Sequence, residues 1–249
     1  EIKAEPLNLN LEVPFVIARG RTEVAHNVIV RVRDGEHEGL GEAAPSSYYN
    51  QSVERVLETV PQVERRLQGK DLSAVRHIFW ELAEAFEDRA TLCAVDTALW
   101  DLLGKRLGVP LYRLFGLEPS RTCRTSYTLG IAEPSEVARR AQKASHYPIL
   151  KIKLGTKQQL GEDLDIEIIE AVRGVYGGTI RIDANCAWSV DEAIEKIYAL
   201  QQYDIEFYEQ PVAPEDPEDL ARLKKGVPDA IIVADESCAV PEDVAALSG

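Results

Sequence analysis

The pattern of hydrophobic and polar positions changes character part-way along this chain. Residues 7–44 alternate between apolar and polar side chains and contain a turn signal at Asp34-Gly35, which predicts an antiparallel meander of strands. Residues 52–107 place apolar side chains three and four positions apart, which predicts a group of helices. The first part of the chain is therefore expected to combine a small sheet with helices.

From about residue 122 a different pattern repeats, in which a short apolar run is followed by an amphipathic segment. Strands are expected near 124–130, 149–154, 179–184, 205–209 and 230–235, with helices near 134–146, 160–175, 189–203 and 215–225. Alternating strands and helices are typical of a parallel α/β architecture with right-handed crossovers. We therefore predict two domains, an α+β domain over 1–118 and a partial (β/α) barrel over 119–249.

The number of predicted strands bears on how complete this barrel is. The pattern supplies five strands, whereas a closed (β/α) barrel of this type needs eight. We expect the chain to be part of a longer protein, and an open sheet that closes in another way is the alternative.

Composition and charge exclude several classes of function. The chain has 249 residues, 45% of them hydrophobic, and a net charge of −14, which argues against nucleic acid and anionic membranes as partners. No apolar run approaches the roughly 18 residues that a membrane span needs. The sequence also has no signal-like start. Its four cysteines are widely spaced, and we expect buried, reduced thiols in a cytoplasmic protein. They are Cys93, Cys123, Cys186 and Cys238.

Three carboxylates close three successive apolar runs. Asp183, Glu209 and Asp235 are separated by 26 residues each, about the length of one strand, one helix and two loops in a (β/α) barrel. They are expected to converge, and three oxygen ligands with little sulfur or imidazole nearby suit Mg²⁺. The alternative is that each caps the helix that follows it. Asn185 and Glu236 are placed behind these ligands as supporting residues. Glu236 would point away from Asp235 if the strand continued, and the alternative is that it neighbours a helix N-cap.

Two lysines stand one strand earlier, at Lys151 and Lys153. Side chains at i and i+2 on a strand share a face, so both amines are expected inside the barrel beside the metal, unless the strand is an exposed edge. A nearby dication and a second amine would favour the neutral form of lysine, which is a competent general base. Lys153 is nearer the carboxyl end of its strand and is predicted to be the base, with Lys151 supporting it electrostatically.

A metal beside a base indicates one class of reaction. The metal would bind the oxygens of a substrate carboxylate and stabilise the enediolate that forms when the proton on the adjacent carbon leaves. That proton is only weakly acidic, so a lysine needs such stabilisation to remove it at a useful rate. The predicted chemistry is therefore proton abstraction next to a carboxylate.

These motifs resemble those of the enolase superfamily, a known example of a lysine or histidine base working with Mg²⁺ at an enediolate. The site motifs are similar to those of the muconate lactonizing enzyme subgroup, namely Lys151-Ile152-Lys153, Asp183-Ala184-Asn185, Glu209-Gln210-Pro211 and Asp235-Glu236-Ser237. Two further segments resemble its N-terminal capping domain, Gly39-Leu40-Gly41-Glu42-Ala43 and Ala94-Val95-Asp96-Thr97-Ala98-Leu99-Trp100-Asp101. The resemblance covers essentially the whole chain and implies one Mg²⁺ per active site.

Within that subgroup the chain is most similar to dipeptide epimerases of the L-Ala-D/L-Glu type. The segment 125–130 resembles their first barrel strand, with Thr128 at the pocket, and 15–22 resembles their mobile specificity loop. The resemblance implies that Arg19 or Arg21 pairs with an acidic substrate side chain. The alternative for both arginines is a solvated loop charge. Tyr48, with its neighbour Tyr49, is expected either to close the pocket or to pack between the domains.

The resemblance implies a two-base epimerisation. Lys153 would remove the α-proton from one face, and a second lysine, expected beyond residue 249, would return a proton to the other. Muconate cycloisomerase, o-succinylbenzoate synthase and N-acylamino acid racemase share the metal and the lysines and remain alternatives, as does an inactive truncated fragment. The expected partner is a small molecule, a dipeptide or related carboxylate, and a homo-oligomer is compatible with the resemblance.

Overall fold

The computed structural model describes residues 1–247 of the chain. They form two compact units. The first consists of Glu1–Leu11 and Val24–Thr122, and the second of Glu12–Glu23 and Cys123–Gly249. The tip of the first hairpin is thus grouped with the later part of the chain rather than with the strands on either side of it.

The first unit contains a three-stranded sheet and the first four helices. The strands are β1 (Ile2–Ile17), β2 (Gly20–Asp34) and β3 (His37–Ala43), in that spatial order, and the helices are α1 (Val53–Leu67), α2 (Val75–Ala85), α3 (Arg89–Leu107) and α4 (Leu111–Leu114). Strands β2 and β3 pair antiparallel, as the alternating pattern predicts. Two glycines of β3 let α3 pack directly on the sheet, because a Cβ at Gly41 would lie 1.9 Å from the carbonyl oxygen of Ala94.

The second unit is a parallel α/β structure. Its strands are β4 (Tyr127–Leu129), β5 (Ile149–Lys153), β6 (Thr179–Asp183), β7 (Ile205–Glu209) and β8 (Ile232–Val233), and they form one parallel sheet in sequential order. Its helices are α5 (Pro134–Lys143), α6 (Lys157–Leu160), α7 (Asp165–Arg173), α8 (Val190–Leu200), α9 (Pro217–Gly226) and α10 (Pro241–Leu247). The predicted fold class, an α+β domain followed by a five-stranded part of a (β/α) barrel, is confirmed. The strand expected over 230–235 is shorter than predicted.

The parallel sheet has one apolar face and one polar face. Leu150, Ile152, Ile180 and Ile182 are fully buried in a core that also contains side chains of α5, α7 and α8. Because alternate residues of a strand point to opposite faces, the lysines of β5 and the last residue of β6 lie on the other side of the sheet. The helices therefore cover the apolar face, and the opposite face carries the charged residues.

The cysteines differ from expectation. No disulfide occurs among residues 1–247, but Cys93 and Cys123 are exposed, and Cys186 and Cys238 are only partly buried. Cys93 belongs to the nearly all-apolar helix α3, whose buried face is narrower than its apolar sequence suggests. An apolar neighbourhood in sequence was therefore a poor guide to burial at this position.

Within residues 1–247, no helix combines the length and the apolar character needed to cross a membrane.

Candidate metal and proton-transfer site

The polar face of the parallel sheet gathers the predicted site residues at the carboxyl ends of the strands. Lys153 lies opposite Asp183 in the register of β5 and β6, and Asp183 lies opposite Glu209 in the register of β6 and β7. Glu209 in turn lies opposite Val233, the last residue of β8, and Asp235 follows two positions later. One row across the sheet therefore contains the lysine and two of the acids, and the third acid lies just beyond it.

The three predicted metal ligands converge. One carboxylate oxygen each from Asp183, Glu209 and Asp235 lies within 4.8 Å of the others. Asp183 is buried, Glu209 is half-buried and Asp235 is exposed. Asp183 and Glu209 are the last residues of β6 and β7, so the backbone hydrogen bonds of the sheet hold these two in fixed relative positions, whereas Asp235 lies two residues beyond the end of β8. The equal spacing in sequence thus corresponds to a real cluster of oxygen donors.

Both lysines contact this carboxylate cluster. Lys151 Nζ lies 2.8 Å from Asp183 Oδ2 and donates a hydrogen bond to Glu209 Oε1 at 2.6 Å. Lys153 Nζ donates to Asp183 Oδ2 at 2.6 Å and to Asn185 Oδ1 at 2.9 Å. The two amines therefore share Asp183, and Lys153 is the one nearer the carboxyl end of the strand.

The charges of this cluster depend on the close contacts between its lysines and its carboxylates. Burial tends to lower the pKa of Lys151, but hydrogen bonds to Asp183 and Glu209 and their negative charges outweigh burial and raise that pKa overall. Burial also tends to raise the pKa of Asp183, but the charges and hydrogen bonds of the two lysines hold it below its ordinary value. Lys151 is therefore a cation in this environment, because the two groups that its amine contacts are the carboxylates of Asp183 and Glu209.

The pKa values of the other two acids are shifted in the opposite direction, above their ordinary values. Burial raises the pKa of Glu209, and the negative charge of Asp183 raises it further. The hydrogen bond from Lys151 lowers that pKa but does not outweigh burial. Burial and the nearby charges of Glu236 and Asp183 raise the pKa of Asp235. No hydrogen bond or ion pair to the carboxylate of Asp235 occurs among the described residues.

This donor set fits a hard dication. Four acids and three basic side chains meet at the site, which leaves one negative charge in excess when all are ionised; the acids are Asp183, Glu209, Asp235 and Glu236, and the bases are Arg19, Lys151 and Lys153. Carboxylate oxygens are the ligands that Mg²⁺ prefers, and a dication would relieve the repulsion around Asp235. The chemistry and charge of the residues present are therefore those of a Mg²⁺ site.

Behind the acids lies a hydrogen-bonded chain that involves both predicted supporting residues. Asn185, with a φ of +46°, turns the backbone after Asp183, and its Nδ2 donates to Glu236 Oε1 at 3.3 Å. Arg19 forms an ion pair with the same oxygen of Glu236, and its Nη1 donates to the carbonyl oxygen of Asn185 at 3.1 Å. The chain therefore runs from Lys153 through Asn185 and Glu236 to Arg19.

The segment expected to be a specificity loop belongs to the second unit and is held there through backbone carbonyl oxygens. The N–H of Ile131 donates to the carbonyl oxygen of Val16, and Gln159 Nε2 donates to that of Ala18, both at 2.9 Å. Gly155, two residues after Lys153, has a φ of +91°, and a Cβ there would lie 2.8 Å from the Cβ of Ala18. Only glycine accommodates both the left-handed backbone and this close approach.

The remaining predicted substrate residues are placed as follows. Thr128 is half-buried on β4 and lies opposite Lys151 in the register of β4 and β5. Arg21 pairs with Glu23 in an exposed position. Tyr48 belongs to the first unit, where it is 42% exposed and its ring meets that of Tyr49 edge to face. A role for any of these three in substrate binding stays a prediction.

Two buried residues of the second unit received no role from the sequence. Gln210 is fully buried immediately after Glu209. Asp165 is buried at the start of α7 and accepts hydrogen bonds from the backbone N–H groups of Gly155 and Thr156, from Trp188 Nε1 and from Lys196 Nζ. Asp165 resembles an ordinary acidic residue of a first helical turn, so no local signal identified it. A polar amide directly after a strand-end acid was the available signal for Gln210.

Two known protein families match this chain. Residues 1–116 match the mandelate racemase/muconate lactonizing enzyme N-terminal domain. Residues 134–248 match the enolase C-terminal domain-like family. Between them these matches account for nearly all of the chain.

Individual relatives are dipeptide epimerases. The chain is 33% identical over 242 residues to an L-Ala-D/L-amino acid epimerase of Flavobacterium johnsoniae, and the match covers 96% of this chain and 69% of that enzyme. It is also similar to a crystal structure of the Cytophaga hutchinsonii dipeptide epimerase complexed with Mg and D-Ala-L-Val, with a TM-score of 0.89 and 30% identity over 99% of this chain and 67% of that one. A third match is the Enterococcus faecalis V583 dipeptide epimerase complexed with Mg and L-Leu-L-Tyr, with a TM-score of 0.87 and 32% identity over 97% and 69% of the two chains.

Proposed function

Because the chain belongs to the mandelate racemase/muconate lactonizing enzyme family of the enolase superfamily, we propose that it acts in Mg²⁺-dependent epimerisation of dipeptides. The observation that carries this proposal is the row formed by Lys153, Asp183 and Glu209 at the strand ends, with Asp235 beside it. It places an amine next to a cluster suited to a dication on one face of the sheet. Several relatives are dipeptide epimerases, and for this reason we take dipeptides, among possible carboxylates, as the substrate class.

The acids and lysines take separate roles in this proposal. Asp183, Glu209 and Asp235 would hold Mg²⁺, which when bound would coordinate the substrate carboxylate and stabilise the negative charge that develops there. Lys153 would accept the α-proton at Nζ. The ammonium so formed would donate to Asp183 Oδ2 and Asn185 Oδ1, the two acceptors it already contacts. Lys151, held as a cation by Asp183 and Glu209, would add positive charge where the substrate becomes more negative.

Proton exchange and epimerisation place different demands on the protein. Exchange of the α-proton with solvent requires only a base on one face of the α-carbon, and Lys153 is the group we assign to it. Inversion also requires a proton donor on the opposite face, a role that the family resemblance assigns to a second lysine. Exchange is therefore the more direct test of the residues described here.

The test is to incubate the protein with Mg²⁺ and a library of L,L-dipeptides in D₂O and to measure deuterium at the α-carbon by mass spectrometry. We expect a few dipeptides to gain one deuteron and to stop gaining it when a chelator is added. Gain that is insensitive to the chelator would contradict the metal assignment. No gain with any dipeptide, together with turnover of a muconate or a succinylbenzoate precursor, would contradict the substrate class while leaving the site intact.

The proposed binding partner and cellular location rest on the relatives and on the cysteines. The partner is a small molecule with a free carboxylate, and a dipeptide is the candidate that the bound ligands of the relatives favour. The four cysteines form no disulfide among the described residues, which is compatible with a reducing compartment, and we place the protein in the cytoplasm.

A further inference from the structure

The side-chain amide of Gln210 uses its full capacity for hydrogen bonds. Its Oε1 accepts from the backbone N–H groups of Asp235 at 2.9 Å and Ser237 at 3.1 Å. Its Nε2 donates to the carbonyl oxygen of Val212 at 2.9 Å and to Ser237 Oγ at 2.7 Å. Gln210 is fully buried, so no solvent replaces any of these four partners. A buried amide with two satisfied lone pairs and two satisfied N–H groups holds its neighbours in one arrangement.

The main chain of Gln210 adds further connections. Its N–H donates to the carbonyl oxygen of Val233, the last residue of β8, at 2.8 Å. Its carbonyl oxygen accepts from the N–H of Cys186, in the turn after β6, also at 2.8 Å. Its φ of +34° lies in the left-handed region, which is costly for a residue with a side chain and persists only where the surroundings impose it.

These contacts join the three segments that carry the carboxylates. Cys186 lies three residues after Asp183, and Gln210 itself follows Glu209 directly. Asp235 receives the most direct support, because the backbone N–H of Asp235 itself donates to Gln210 Oε1. This support is needed there, since β8 is only two residues long and ends before Asp235. The sheet alone therefore does not set the position of the third acid.

We propose that Gln210 is a positioning residue for the metal site, which holds the backbone of Asp235 so that its carboxylate meets those of Asp183 and Glu209. This role rests on the proposed Mg²⁺ site but not on the identity of the substrate. It also explains why an amide stands here. The amide oxygen, with two lone pairs, accepts from two backbone N–H groups, and the amide nitrogen, with two hydrogens, donates to a carbonyl and a hydroxyl oxygen.

The experiment measures Mn²⁺ binding by electron paramagnetic resonance, because Mn²⁺ prefers oxygen ligands as Mg²⁺ does. Gln210→Met removes all four side-chain hydrogen bonds at nearly constant size. We expect it to raise the Kd for Mn²⁺ by roughly 10–100-fold, the range typical of residues that orient metal ligands. Ser237→Ala removes one partner but keeps both bonds from Oε1 to the backbone, and we expect a much smaller rise.

A second variant covers the case in which Gln210→Met does not fold. Gln210→Asn keeps the amide, and asparagine tolerates a positive φ better than most residues, but the shorter side chain cannot reach both sets of partners. We expect it to fold and still to weaken Mn²⁺ binding. Tyr176→Phe is the matched control, because it removes a hydrogen bond of 2.9 Å to the carbonyl oxygen of Tyr147 from a buried residue at the amino ends of β5 and β6. It should lower Tm without changing the Kd for Mn²⁺.

The outcomes separate this role from a merely structural one. If Gln210→Met and Gln210→Asn lower Tm while the Kd for Mn²⁺ stays within about twofold of wild type, far below the range for ligand-orienting residues, Gln210 is not a positioning residue. Absence of Mn²⁺ binding by the wild-type protein would overturn both this role and the metal assignment. Weakened binding in the variants, with no exchange of any dipeptide by the wild type, would support Gln210 and contradict the proposed function.

Discussion

Lys153 and Asp183 are neighbours across β5 and β6, and Lys153 Nζ donates to Asp183 Oδ2 at 2.6 Å. One carboxylate therefore serves as the anchor of the proposed base and as a member of the metal-binding cluster. Because a parallel register places these residues side by side, their contact follows from the sheet rather than from a flexible loop. The proposed metal and base are thus coupled through a single side chain.

Replacement of Lys153 should slow the exchange of the substrate α-proton on the face of the α-carbon that this lysine serves. Lys153→Met keeps much of the side-chain volume but has no amine, so we expect the rate of α-proton exchange by Mg²⁺-loaded protein to fall roughly 10²–10⁴-fold, the usual contribution of a general base. Deuterium incorporation followed by mass spectrometry measures the effect. Lys143→Met, at an exposed position on the last turn of α5, is the control and should exchange at the wild-type rate. Exchange by the Lys153 variant at an undiminished rate would rule out this lysine as the base.

Metal binding should stabilise the wild-type protein and not a ligand variant. A dication at 100 times its Kd stabilises a folded protein by about 2.7 kcal/mol, so Mg²⁺ should raise Tm in wild type. Glu209→Gln removes one charged ligand and should abolish most of that rise, as measured by thermal unfolding with and without Mg²⁺. Glu206→Gln is the matched control, because Glu206 lies on the same strand and pairs with Arg181 outside the carboxylate cluster. An equal Tm rise in both variants would contradict the ligand assignment.

The two arginines of the predicted specificity loop should behave differently. Arg19→Met breaks the ion pair with buried Glu236 and should lower the free energy of unfolding by roughly 2 kcal/mol, whereas Arg21→Met loses only an exposed pair and should cost less than about 1 kcal/mol. Urea unfolding measures both. If Arg21 also recognises acidic side chains, Arg21→Met should raise KM for acidic dipeptides and leave KM for neutral ones unchanged. Equal stability losses in the two variants would argue against the internal role of Arg19.

Asp165 should make unfolding depend on pH. Burial tends to raise the pKa of Asp165, but its hydrogen bond and ion pair with Lys196 outweigh burial and lower that pKa. A carboxyl whose pKa is lower in the folded state stabilises the fold above about pH 4, near its unfolded pKa, and this contribution is lost as the pH falls through the folded value.

The corresponding variant is Asp165→Asn, which removes one of the two carboxylates that pair with the buried Lys196 and leaves Asp163 as the other. We expect a loss of about 1–3 kcal/mol at pH 7, because Lys196 keeps its ion pair with Asp163, and a smaller difference from wild type at pH 3, where wild type loses the same contribution. Urea unfolding at the two pH values measures it. Asp229→Asn, at an exposed position, should change stability by less than about 0.5 kcal/mol. A loss that is constant between pH 3 and pH 7 would contradict the lowered pKa.

The carboxylate cluster and the lysine pair were predictable from sequence because each depends on local periodicity. Lys151 and Lys153 share a face because a strand repeats every two residues. The acids converge because equal spacing in repeated strand and helix units brings the ends of parallel strands to the same edge. The charge state of Lys151 was not predictable in the same way, since it depends on which carboxylates contact the amine and not on its place in the strand.

The sequence by itself determined the two-part α/β architecture, the row of charged residues on one face of the sheet and the family to which the chain belongs. Only the tertiary structure decided that Arg19 pairs with Glu236, 217 residues away, and that the amide of Gln210 binds the backbone of Asp235. It also decided that Cys93 is exposed on an apolar helix. Local patterns follow from how neighbouring residues repeat along a strand or helix, whereas these contacts depend on which distant segments the folded chain brings together.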